Sequence, residues 1–295
     1  MPVCIDAQCY LCHFRKKVEL ARSLGDEETA TAFARELLQL YLSAPEGVSS
    51  PWFGPHTTAL LDKYYHLGSD PFQEEKALSN QFVFRRLNSL REEIQKAEDP
   101  VFTALQYSVL GNYIDYSALQ GEVSLDTFDE MLASAKSISL DKEVYLRLCE
   151  DLQKGKTLLY LTDNAGEIGF DRLLAEEIQK RYPHISITFC VRGGPAQNDA
   201  TREDAAYMGI PFPVIDNGNT VAGTQLDLLS REAKTALEQA DVIFSKGQGN
   251  AETLLGSGYN IYYAFLIKCP RFIRLFDKEK LTPMLIHEEK DRVLQ

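Results

Sequence analysis

Two acid–amide pairs stand where apolar runs of the chain stop. Asp163-Asn164 closes "TLLYLT" (157–162), and Asn198-Asp199 follows "SITFCV" (186–191) across a Gly-Gly-Pro turn. Carboxylate and carboxamide oxygens are hard donors that suit a divalent cation such as magnesium or manganese. Asp and Asn are equally favoured as helix N-caps, and "DNAGE" also has the form of a capping arrangement. Both readings stand, and one side chain can serve both. The repeat of the pair at a second strand end makes a shared metal site the reading to carry forward.

Two further strand ends carry polar loops. "VIDNG" places Asp216, Asn217 and Gly218 ahead of Gly223 and Thr224. This is either a tight turn or a substrate loop. "FSKGQGN" sets Lys246 at the end of a run, then Gly247, Gly249 and Asn250 at the opening of a helix. Backbone amides beside an ammonium group suit a phosphate. The lysine precedes the glycines, so the order is not that of a Walker A loop. Carboxylates, amides and one lysine at one sheet edge make the composition of a site for a metal-bound phosphoryl group.

The elements that must position these residues change character near residue 155. Ahead of it, apolar residues recur with helical spacing. Phe33, Leu37, Leu38, Tyr41 and Leu42 form one stripe on a helix starting near Asp26;. Val83, Leu87, Leu90 and Ile94 form another. "DPVFTALQYSVLGNYID" opens with Pro100 in a first helical turn and sets Ala104, Leu105, Val109 and Leu110 on one side;. Beyond residue 155, short β-rich runs at 157–162, 186–191, 212–216, 241–245 and 260–267 alternate with amphipathic segments such as 226–240, and "PMLIH" (283–287) is a candidate last strand. Strand–helix alternation predicts an α/β fold, a doubly wound, mainly parallel sheet of Rossmann-like three-layer form. An all-helical domain over 1–154 and an α/β domain over 155–295 are expected. Ligands in such a sheet sit beyond the carboxyl ends of the strands.

Composition narrows the partners. A net charge of −12 argues against nucleic acid and anionic membrane surfaces, which call for clustered Lys and Arg;. No apolar stretch approaches a membrane span, and the N-terminal segment lacks a signal-peptide core, so a cytoplasmic protein is expected. No nucleotide cofactor is expected, because the glycine fingerprint of a dinucleotide turn is missing. Oligomeric state is open.

Of six cysteines, Cys9 and Cys12 form "CYLC", followed by His13. The spelling matches a haem attachment site, but there is no export signal and the motif lies on a helix. A thioredoxin-like role calls for a preceding strand, and zinc calls for further ligands such as Cys4 and His13. Two thiols packed on neighbouring turns is the plain alternative, with an accessory metal or redox role beside it.

The motifs "GNYIDY" (111–116), "DNAGE", "NDATREDA", "DNG…AGT" and "KGQGN", in that order, resemble the metal-dependent damage-control phosphatases, long catalogued as domain of unknown function eighty-nine. "CYLC" resembles the Cys-x-x-Cys of the branch that includes many prokaryotic members. The motifs run from Cys9 to Glu252, nearly the whole chain. Members usually place two apolar residues where Ala196 and Gln197 stand here.

The resemblance implies a helical region packed on an α/β domain and hydrolysis of small phosphorylated metabolites with a divalent metal (manganese, nickel, cobalt or magnesium). It implies Asp163, Asn164 and Asp199 as metal ligands. Lys246 would hold phosphoryl oxygens, with Gly247, Gly249 and Asn250 around them, and Asn112, Asp115, Glu167 and Asp204 would line or support the site.

Overall fold

The structure is a computed structural model that describes residues 3–68, 70–118 (side chains as far as 113), 130 and 132–288. The β-rich runs form one sheet from β1 (Thr157–Leu161), β2 (Ser186–Val191), β3 (Val214–Asp216), β4 (Val242–Lys246), β5 (Ile261–Leu266) and β6 (Pro283–Glu288). Its order is β3-β2-β1-β4-β5-β6. All neighbours pair in parallel except β5 and β6, which are antiparallel. The doubly wound sheet expected from the alternation is present, and "PMLIH" supplies its antiparallel edge. The chain winds outward from β1 to β3, then returns to place β4 on the other side of β1. That reversal leaves a crevice at the carboxyl ends of β1 and β4.

Alternate strand residues face opposite ways, and both faces are covered. Leu158, Tyr160, Phe189, Phe244, Tyr262 and Leu266 share one apolar cluster with helices from both halves of the chain. These are α4 (Gln73–Phe84), α5 (Leu87–Gln95), α6 (Pro100–Ala118), α7 (Lys142–Lys154) and α8 (Glu167–Arg181). Leu159, Leu161, Ile243, Ile261, Tyr263 and Phe265 face the other way. They pack on α10 (Arg231–Gln239), α11 (Gln248–Leu254) and α12 (Pro270–Phe276), while α9 (Arg202–Tyr207) follows the loop after β2. Removing a ring such as Phe170, fully buried in the first cluster, costs roughly 3–5 kcal/mol;. A smaller cluster of Ala21, Ala30, Phe33, Leu37 and Leu61 joins α1 (Ala7–Leu24), α2 (Glu27–Ser43) and α3 (Phe53–Tyr65).

Local chemistry sets several helix starts. Asp6 and Asp26 cap α1 and α2 by accepting from the backbone N–H of Cys9 and Thr29. Three helical expectations change in detail. Leu38 and Leu42 are exposed, so the stripe on α2 is narrower than its sequence spacing implied. Val83, Leu87, Leu90 and Ile94 are all buried, but the helix breaks at Arg85-Arg86 into α4 and α5. The segment 226–240 likewise divides, into a short 3-10 turn at Leu226–Leu228 and α10.

α6 is buried on nearly every side along Val101–Asn112, which is why its apolar residues show so little amphipathic contrast. It crosses α8 closely at Gly111, where a Cβ would press on Phe170 and Glu167 at 2.9 and 3.1 Å. That approach brings Asn112, one residue on, to the carboxyl ends of β1 and β4. No described helix is long and apolar enough to cross a membrane.

Candidate active site

The loops after β1 and β2 are stitched together by their backbones. Ala200 N–H donates to the Asp163 carbonyl at 2.7 Å, and Ala165 N–H donates to the Asn198 carbonyl at 2.8 Å. Asn164 and Asp199 form an isolated antiparallel bridge between these contacts. The two acid–amide pairs therefore lie side by side, although the 33 residues 165–197 separate them in the chain. Arg192, at the end of β2, reaches both acids. Its Nε donates to Asp199 Oδ2 at 2.5 Å, and its Nη2 lies 3.9 Å from Asp163 Oδ1.

All of these groups are buried. Burial, then the charges of Asp199 and Glu167, push the Asp163 carboxyl well above the usual carboxylate range, against the opposing pull of Lys268 and Arg192. Like charges held together in a dry site behave this way.

Two carboxamides hold the acids apart. Asn112 Nδ2 donates to Asp163 Oδ2 at 2.9 Å and to Glu167 Oε2 at 3.0 Å. Asn164 Nδ2 donates to the same two oxygens at 2.9 and 2.7 Å. Asn112 is anchored in turn, its Oδ1 accepting from Leu266 N–H at 3.3 Å.

Behind this pair lies a fully buried ion cluster. Lys246 Nζ donates to Glu167 Oε1 at 2.6 Å and to the Ser108 carbonyl at 2.8 Å, and it lies 3.1 Å from Asp171 Oδ1. Asp171 Oδ1 also accepts from Ser108 Oγ at 2.7 Å and Tyr160 OH at 2.9 Å. Burial pushes Asp171 up to about 6, with Lys246 pulling the other way. Burial alone would lower the Lys246 ammonium, but Asp171 and Glu167 outweigh it and the net shift is upward. The resemblance assigns Lys246 to phosphoryl oxygens; here its three protons face two carboxylates and a backbone carbonyl.

The remaining sequence candidates divide. Gly247, at φ 80°, lies against Asp163 so closely that a Cβ there would be driven into the carboxylate. Asn250 donates to the carbonyls of Thr162 and Lys246 and accepts from the Thr224 hydroxyl, so its amide holds three loops together. Gly249 packs its backbone on Ala222. Asp204 does not join Asp163. It closes a capping box with Thr201 and accepts from Asn80 Nδ2 at 2.6 Å, while Asn80 Oδ1 accepts from Gly166 N–H at 2.7 Å. Through Asn80 it steadies the "DNAGE" turn from a distance. The Asp115 side chain lies outside the described residues.

Asp216 Oδ2 accepts from Arg202 Nε, and Asn217 Oδ1 accepts from the N–H groups of Gly193 and Asn219, which makes that loop a tightly bonded turn. Cys9 and Cys12 line a second cleft, between α1 and the loop after β2, α11 and the start of α12.

Arg192, Asp171, Ser108, Tyr160, Lys268 and Asn80 were not singled out from sequence. Arg192 and Asp171 left a signal: an arginine directly after a buried strand, and an acid inside the apolar run "IGFDRLL". Ser108 and Asn80 left none, because nothing in a helical sequence marks which polar residue faces another element.

Among the described residues, no cluster of three or more His, Cys, Asp and Glu is disposed to hold a metal ion. Asp163, Asn164 and Asp199 instead make a mixed set of two carboxylates and one carboxamide. An all-oxygen set with mutually repelling acids fits a hard divalent cation.

Residues 5–282 match the damage-control phosphatase ARMT1-like domain. A damage-control phosphatase of Archaeoglobus fulgidus is 34% identical over 83% of this chain and 85% of its own length. A damage-control phosphatase of Pyrococcus horikoshii is 32% identical over 72% of this chain and 74% of its own. The crystal structure of a DUF89 family protein from Pyrococcus horikoshii superposes with a TM-score of 0.82 at 26% identity, covering 97% of this chain and 99% of that one.

Proposed function

The chain belongs to the damage-control phosphatase family with an ARMT1-like domain, and on that premise we propose that it hydrolyses small phosphate monoesters using a divalent metal ion held by Asp163, Asn164 and Asp199. Sugar phosphates and phosphorylated cofactor fragments are the substrate classes in view. The observation that carries the metal assignment is the meeting of Asp163 and Asp199, from two different strand ends, around Arg192. When bound, the ion neutralises phosphoryl charge and lowers the pKa of a water molecule.

The protein's own residues orient and balance the site. Asn112 and Asn164 fix Asp163 by its Oδ2, which leaves Oδ1 on the side of Arg192. Arg192 Nη2 is buried without a hydrogen-bond partner. An orphaned guanidinium N–H beside the acids suits a phosphoryl oxygen, where preorganised donors are most effective. Lys246 acts through Glu167 and Asp171: it keeps the wall behind Asp163 from accumulating uncompensated negative charge, so the pocket can admit an anion.

The test is turnover of p-nitrophenyl phosphate before and after exhaustive chelation, with manganese, nickel, cobalt or magnesium restored one at a time. Turnover should vanish and return. Activity that survives chelation, or that persists in Asp163→Ala, Asp199→Ala and Lys246→Ala alike, ends this reading.

A further inference from the structure

A cleft of about 400 Å³ opens between α1 on one side and the loop after β2, α11 and the start of α12 on the other. His13, Lys16 and Lys17 line it from α1; Gln197, Glu252 and Arg271 line it from the α/β side. The cleft is linked to the acid site through β4's end: Gly247 abuts the Asp163 carboxylate, and Gln248, the next residue, donates to Glu252 Oε1 at 2.7 Å and to Cys269 Sγ at 3.3 Å, both of which line the cleft. Gln197 stands two residues before Asp199, and Arg271 stands three after Lys268, whose charge bears on Asp163.

The charge balance of this cleft is unusual for the chain. The protein carries a net −12, yet among the described residues neither Lys16 nor Lys17 forms an ion pair. Lys17 is half-buried, and burial together with neighbouring Lys16 pushes its ammonium down. Arg271 is only partly neutralised, with its Nε 4.0 Å from Asp6 Oδ2. Glu252 is the carboxyl that lines the cleft, and burial pushes it up to about 7, so near neutral pH it offsets only part of one positive charge. Gathering like charges with so little counter-charge is unfavourable unless an anion completes the set.

We infer that this cleft receives the non-reacting end of the substrate, and that this end carries a second anionic group, a carboxylate or a second phosphate, met by Lys16, Lys17 and Arg271. The inference rests on the phosphatase reading for the identity of the reacting end. Contacts remote from the reacting centre supply binding energy that orients the phosphoryl group.

The test compares 6-phosphogluconate with glucose 6-phosphate, which share a phosphoryl group and carbon chain and differ in charge at the far end. With metal-saturated full-length protein, kcat/KM should favour 6-phosphogluconate by at least about tenfold, as charge-pair contacts of this kind support. The ratio should fall toward one in Lys16→Gln/Lys17→Gln and recover in Lys16→Arg/Lys17→Arg. Using a ratio cancels any general loss of activity, and single Lys16→Gln, at an exposed position, serves if the pair folds poorly. The preference should also shrink as salt rises.

A wild-type ratio near one, or a preference that the Gln pair leaves in place, overturns the inference. If wild type hydrolyses neither compound, the cleft is judged by calorimetric affinity for the same two compounds, while the phosphatase reading stands or falls separately on p-nitrophenyl phosphate turnover. Tighter binding of 6-phosphogluconate that the Gln pair loses supports it; equal affinities overturn it.

Discussion

Lys246 and Glu167 form an ion pair, Nζ to Oε1 at 2.6 Å, in which neither side chain is exposed to solvent. One lysine at a strand end and one acid at the start of α8 meet because β4 lies beside β1. Asp171, one helical turn beyond Glu167, completes a cluster with one cation and two acids. Such clusters define geometry more than they add stability, and removing one partner strands the others.

Lys246→Met should lower the unfolding free energy by about 3–5 kcal/mol, because two buried acids lose their counter-charge. Adding Asp171→Asn should recover part of that loss. Urea denaturation of the two single variants and the double variant measures the coupling; strictly additive losses would show that the pair does not interact.

Gly247→Ala should abolish turnover and destabilise the fold, since a Cβ at that positive-φ position is driven into the Asp163 carboxylate. Gly68→Ala is the control. Gly68 has φ 80° but open space around its missing Cβ, so only the backbone penalty of about 1–2 kcal/mol applies;. Equal behaviour of the two variants in activity and melting temperature would refute the contact.

In metal-free protein, Asp163→Asn should be neutral or stabilising, because it removes a buried charge repelled by Asp199 and Glu167. Metal reverses the order: a cation at 100 times its Kd should stabilise wild type by roughly 2.7 kcal/mol, and the variant far less. Thermal melts with and without manganese check both signs. A variant stabilised by metal as strongly as wild type counts against Asp163 as a ligand.

Arg192→Met should reduce turnover by roughly 10²–10³, the cost of losing one preorganised donor to developing charge. Arg192→Lys should not restore it, since one ammonium cannot reproduce the spacing by which the guanidinium reaches both Asp163 and Asp199;. Steady-state kinetics of the two variants decide the point.

His13 is pushed down to about 3 by burial and by the charges of Lys17 and Lys16. Its Nδ1 shares a 2.6 Å hydrogen bond with the Tyr41 hydroxyl. An unfolded histidine binds its proton near pH 6.5, so between 6.5 and 3 the unfolded chain takes up more protons than the folded one. The neutral imidazole's contribution is therefore fully present above pH 6.5 and is lost as pH falls. Relative to His13→Gln, wild type should lose about 2 kcal/mol between pH 7 and pH 5. Denaturation at the two pH values tests this, and a constant difference would contradict it.

Much of the fold was legible because its signals are local. Every strand lies on a run whose length and β-branched or aromatic content marked it, and Pro100 and Asp26 start helices by chemistry confined to one turn. Where legibility failed, a distant element had intervened. Leu38 and Leu42 keep helical spacing, yet no neighbour covers them enough to bury them. Val83 to Ile94 reads as one stripe, but packing on the same cluster is satisfied by two helices with a break between them.

The sequence by itself determined which residue types stand at which strand ends: Asp163 and Asn164, Asn198 and Asp199, Lys246 and Gly247. Apolar runs stop where polar residues begin, and that boundary is written in the linear order. Only the tertiary structure decided their partners. Asn112 bridges Asp163 and Glu167 because α6 crosses α8 at a glycine, Arg192 reaches two acids because β2 lies beside β1, and Lys246 turns inward to Glu167 and Asp171. A side chain's ionic partner depends on distance through space, and distance in a fold is set by how elements pack, which no local pattern encodes.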